Sequence, residues 1–105
     1  MHTYVYGFGY ENPKQLSGNI TRGWDDEDNQ AILITACSEE EALAWGRQIA
    51  EAFLKLLFQD ESVSWQDRNY ADRIEQLEKS WPGQQCVNAG VMPDFTKWLA
   101  PYGQG

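Results

Sequence analysis

The sequence predicts an α+β domain: a small, mostly antiparallel sheet of about four strands, with one long and one or two short helices packed on one face. Three observations carry this expectation. Residues 3–10 alternate with a period of two, residues 31–37 form a short unbroken apolar run, and residues 39–58 keep helical spacing. The length of 105 residues corresponds to a single domain spanning 1–105. A chain of that size can bury a core without metals or disulfides.

The first strand is read from Tyr4, Tyr6, Phe8 and Tyr10, which alternate with Val5, Gly7 and Gly9. Four rings then share one face and almost nothing lines the other. The ring face fits a core under a helix. The bare face is either solvent-facing or pressed against something that approaches the backbone closely, as glycine inside a strand often marks. If the rings were exposed instead, they would form a sticky docking patch.

Residues 11–30 carry turn and loop signals, among them Asn12-Pro13, Ser17-Gly18-Asn19 and Arg22-Gly23, with Ile20-Thr21-Arg22 as a brief extended piece. Ala31-Ile32-Leu33-Ile34-Thr35-Ala36-Cys37 fits a strand in the middle of the sheet. Strands one and two are joined by a loop, which favours antiparallel pairing. Ser38 with Glu41 three residues later is a capping-box pattern, and Glu39, Glu40 and Glu41 sit at the positive end of the helix dipole. Ala42, Trp45, Ile49, Phe53 and Leu56 follow on one face of a helix over 39–58. Gly46 inside it costs about 1 kcal/mol relative to Ala, for which close approach to a strand is a physical return.

Ser62–Trp65 is expected as a short third strand, Asn69–Ser80 as a weaker second helix through Tyr70, Ile74, Leu77 and Trp81, and Cys86–Val91 as a fourth strand. Asp94 is expected to cap a last turn holding Phe95, Trp98 and Leu99. Trp45, Trp65, Trp81 and Trp98 are read as core or rim residues.

Sixteen Asp and Glu face eight Lys and Arg, for a formal net charge of −8. An acidic surface repels phosphate backbones and anionic membranes and draws in basic proteins. Gly7-Phe8-Gly9-Tyr10 resembles the glycine-aromatic core of the RNA-reading strand in RRM domains. That signature places a basic residue before its first glycine, where this chain has Tyr6, and its strand comes third in the domain. With the negative charge, this excludes nucleic acid as a partner.

His2 is the single histidine and lies beside the chain end, which disfavours His-based nucleophilic catalysis. Cys37 and Cys86 stand 49 positions apart in apolar surroundings and are expected as buried free thiols, with neither a zinc site nor a disulfide framework. Asp25-Asp26-Glu27-Asp28 is not an EF-hand loop, because positions six and twelve from Asp25 hold Gln30 and Ala36. No phosphate-binding glycine loop is present, and no pair of carboxylates is singled out by spacing. No catalytic residue, metal or cofactor is therefore assigned.

The N-terminus has no basic segment followed by an apolar one, and no apolar run nears the roughly 20 residues of a membrane span, so a cytoplasmic chain off the membrane is expected. Small, acidic, aromatic-rich chains of this kind are similar in general character to bacterial immunity proteins, which neutralise toxins; no particular residue carries over. The expected partner is accordingly a basic protein, such as a toxin. The expected contact is Trp24, Asp25, Asp26, Glu27 and Asp28, with carboxylates facing a cationic cleft and Trp24 as an apolar anchor. The alternative is a standalone domain that binds a small molecule or pairs into a homodimer through the aromatic strand.

Overall fold

The structure is a computed structural model and describes residues 1–22, 28–68, 70–78 and 83–102. In chain order the elements are β1 (His2–Tyr10), α1 (Pro13–Arg22), β2 (Asp28–Ala36), α2 (Glu39–Phe58), β3 (Asp72–Gln76), β4 (Cys86–Asn88) and α3 (Thr96–Leu99). The sheet order is β3-β1-β2-β4. β1 pairs antiparallel with both β2 and β3, and β4 joins β2 in parallel. This is the α+β fold expected, with the apolar β2 run in the middle of the sheet.

The aromatic face of β1 is core. Tyr4, Tyr6, Phe8 and Tyr10 are all buried, Tyr6 and Tyr10 completely. Phe8 is the hub: its ring centroid lies 6.0 Å from Phe53 and Trp65 and 5.9 Å from Trp98. Burial of two phenols requires partners for their hydroxyls. Tyr6 donates to Asp72 Oδ2 at 2.9 Å, and the hydroxyls of Tyr10 and Tyr102 lie 2.8 Å apart. Those rings are closed inside the chain's own core, so they form no exposed docking patch.

α2 closes this core from above with Ile49, Ala50, Phe53, Leu54 and Leu57. Its start is the expected cap: Ser38 Oγ accepts from the Glu41 amide at 3.1 Å. Glu41 Oε1 reaches back to the Cys37 amide at 2.9 Å, one residue further than in the usual reciprocal box. Gly46 lies flat on Tyr6. A Cβ placed there would fall 2.5 Å from Tyr6 Cγ, so the helix backbone needs glycine to rest on the ring.

Four secondary-structure expectations are corrected. Residues 13–22 are helical, not loop. Asn12 Oδ1 accepts from the Gln15 amide at 2.8 Å while Gln15 Oε1 accepts from the Asn12 amide at 3.0 Å, a reciprocal cap, and Pro13 occupies the first helical position, where its missing N–H costs nothing. Residues 72–76 are a strand, not part of a helix. A spacing of four is even, so Tyr70 and Ile74 satisfy a period of two as well as a helical one, and the open edge of β1 supplies a ladder for the strand. Ser62–Trp65 is no strand. Glu51 holds it instead, accepting from the Ser64 hydroxyl at 2.9 Å and the Trp65 amide at 2.6 Å. The fourth strand is shorter than expected: after β4 the chain turns at Ala89-Gly90.

Both thiols are exposed rather than buried. Cys37 follows the last residue of β2, and Cys86 begins edge strand β4, so apolar neighbours in sequence do not enclose either. Asp94 does organise the final turn, its Oδ1 accepting from the Thr96 amide at 2.9 Å, although Phe95 takes the cap position itself. Trp45 is half-buried against the core, and Trp65 and Trp98 lie inside it. Trp81 lies outside the described residues.

Candidate functional site

Two regions are candidates: the acidic segment singled out in the sequence, and the bare face of the sheet. Of the segment, Trp24, Asp25, Asp26 and Glu27 lie outside the described residues. Asp28 opens β2 opposite Tyr10. Its carboxylate faces inward and works as a tie. Oδ1 accepts from Gln15 Nε2 at 3.2 Å, Oδ2 from Asn12 Nδ2 at 3.5 Å, and the Tyr102 hydroxyl donates to Oδ2 as well. Burial and the hydrogen bond to Asp28 push the Tyr102 phenol well above its ordinary value, so it stays a donor. Asp28 thus joins α1, β2 and the C-terminal turn. This role is not legible in the sequence, because it depends on Gln15, in a helix whose start resembles a turn, and on Tyr102 far along the chain.

The second region is built from the sheet's alternation. Cross-strand partners point to the same face. Gly7 pairs with Ala31 on one side and Arg73 on the other; Val5 pairs with Leu33 and Glu75. Opposite the rings, the sheet therefore offers a strip of minimal side chains flanked by the longer residues of β3. The face is not entirely open: Leu33 is buried, and the Gln84 carboxamide donates to the Ala31 carbonyl. Two adjoining hollows lie here, of about 590 and 820 Å³, and they share Gly7, Ala31 and Arg73. Together they form a trough that follows β1, running roughly 13 Å from Gly9 to Val5.

The two ends of the trough differ in chemistry. The lower one carries amides, with Asn29, the partner of Gly9, and Gln84 among its lining residues. The upper one carries Glu39, Glu75 and Glu78 around Val5 and Leu77, with Arg73 the one cation among the described residues that line it. Those three glutamates are exposed. The sequence points to the glycine strip but not to Glu75 and Glu78 beside it, because residues 69–80 read as a helix there; Glu39 is visible only as the start of α2.

At the neighbouring edge, Asp72 collects Tyr6 and Arg47, with Arg47 Nε donating at 2.9 Å. Burial works against the carboxylate's charge, but the hydrogen bonds from Arg47 and Tyr6 outweigh it and hold its pKa below the usual 3.8. This network locks β3 to α2 and β1, which fixes the wall of the trough. Among the described residues, no group of three or more His, Cys, Asp and Glu is arranged to hold a metal, and no helix is long and apolar enough to cross a membrane. A scan against protein-family models, a search of curated proteins and a search of solved structures each find no match to this chain.

Proposed function

We propose that the chain is a small acidic binding protein that neutralises a basic protein partner by covering a cationic site, in the manner of an immunity protein. The observation that carries this reading is the state of its charges. Sixteen Asp and Glu side chains stand in the chain, thirteen of them among the described residues, and of those thirteen one, Asp72, takes part in an ion pair. Surface carboxylates left uncompensated raise the field around the molecule and steer a cationic protein toward it. Exposed charge pairs add little affinity by themselves, about 0–1 kcal/mol each. Tight binding would then come from an apolar anchor, the role proposed for Trp24 beside Asp25, Asp26 and Glu27. Asp28 is a poor contact residue, because its carboxylate already holds Gln15 and Tyr102.

The aromatic strand gives no support to the alternative of a small-molecule pocket or a dimer face lined by its rings, since they are buried against α2 and α3. The test begins with capture of the partner from the native lysate on immobilised protein. Association of that partner is then followed by stopped flow across a range of salt. Asp25→Asn with Asp26→Asn and Glu27→Gln should slow association and flatten its salt dependence while Asp28 is left in place. An unchanged rate and salt slope would remove the segment from the interface, and a partner that is not basic would overturn the reading.

A further inference from the structure

We infer that the bare face of the sheet is a docking surface, and that its occupant is a lysine- or arginine-bearing segment of another protein. This rests on the acidic-binding reading and adds the place where the partner sits.

Two glycines in the molecule make the contrast. Gly46 has an internal reason, the Tyr6 ring beneath it. Gly7 has none. Its φ lies outside the left-handed region, and a Cβ there would meet only the Gln30 carbonyl, at an ordinary 3.8 Å. Glycine in the interior of a strand weakens it and leaves backbone uncovered. With neither turn geometry nor internal packing to require it, the remaining physical use is access to that backbone from outside. Gly7 lies where the two hollows meet, beside Ala31.

Charge selects the occupant. Among the described residues, Glu39, Glu75 and Glu78 outnumber Arg73 at the upper end, and none of the three takes part in an ion pair. Such a surface repels phosphate and anionic lipid. It also repels a second copy of a chain carrying −8. A cationic polypeptide is attracted, with its backbone over Gly7 and Ala31, its ammonium or guanidinium groups among the glutamates, and the exposed Asn29 amide at the lower end to hydrogen-bond its main chain.

The test uses the full chain, isotope-labelled, titrated with an octalysine peptide at low salt and followed by amide shifts, with octaglutamate as control. The amides of Gly7, Ala31, Glu75 and Glu78 should move with octalysine and stay still with octaglutamate. Gly7→Val adds a Cβ whose nearest contact outside the adjoining residues is the Gln30 carbonyl at an ordinary 3.8 Å, and it should weaken binding at least about tenfold by filling the trough. Glu75→Gln with Glu78→Gln, both exposed, should weaken it too. Shifts confined to other surfaces, binding indifferent to these changes, or no octalysine binding would each overturn the trough. A basic partner that is captured from lysate and binds Gly7→Val at full strength would overturn the trough yet leave the acidic-binding reading standing; capture of a partner that is not basic would remove both.

Discussion

Gly46→Ala isolates the closest contact in the core. The new methyl would lie 2.5 Å from Tyr6 Cγ and 2.6 Å from Cδ1. Carbon atoms prefer about 3.5–4.0 Å, so roughly 1 Å must open between helix and strand. Tyr6 cannot yield easily. The clash is at the root of its ring, the ring stacks on Phe8 at 5.8 Å, and its hydroxyl is tied to Asp72 at 2.9 Å. Overpacking in such a site costs about 1–3 kcal/mol, and the upper end applies here. Alanine returns about 1 kcal/mol of helix propensity. The net expected loss is about 2 kcal/mol, which lowers Tm by about 8–16 °C in a domain of this size. Urea unfolding followed by tryptophan fluorescence measures it, and an unchanged m-value would assign the loss to native packing. A variant as stable as the parent, or more so, would refute the picture of α2 seated on the Tyr6 ring.

Asp72→Asn should cost about 1–2 kcal/mol at neutral pH, because Tyr6 and Arg47 lose a charged acceptor. The folded pKa lies below 3.8, so the contribution is complete above 3.8 and is lost as pH falls through the folded value; parent and variant should converge there in acid urea melts. At the alkaline end, burial raises Tyr6 and Tyr10, and burial with the Glu11 hydrogen bond pushes Tyr70 up to about 12. Raised acids stabilise the fold below 10.0, the unfolded value, and that stability is lost as pH rises through the folded values, so phenolate absorbance in the folded protein should lag that of the denatured chain. Gln59 ends α2 in the left-handed region with φ 53°. Gln59→Gly should raise stability by about 1 kcal/mol in thermal melts.

The sequence made the long-range architecture legible where one signal dominated. The ring alternation of β1 and the cap and stripe of α2 each fit one kind of secondary structure. Errors arose where two interpretations coincided. Asn12-Pro13 reads as a turn and equally as a cap followed by a first helical residue; only Gln15, three positions on, distinguishes them. Tyr70 and Ile74 fit either period, and the choice was made by the open edge of β1, a fact of topology rather than local sequence. The candidate site shared this fate. Gly7 and Ala31 are visible in the sequence, but Glu75 lies in a stretch with helical spacing, which gives no reason to place it beside them. The inward tie of Asp28 to Tyr102 joins residues 74 positions apart, and no local pattern announces it.

The most direct measurement for the proposed function is the rate at which the captured partner associates with the full chain as salt is raised. Steering by uncompensated carboxylates predicts a rate that falls steeply with ionic strength, and a shallower fall when Asp25, Asp26 and Glu27 are neutralised. A rate indifferent to salt, in the parent chain and a true partner, would contradict an electrostatic origin for recognition.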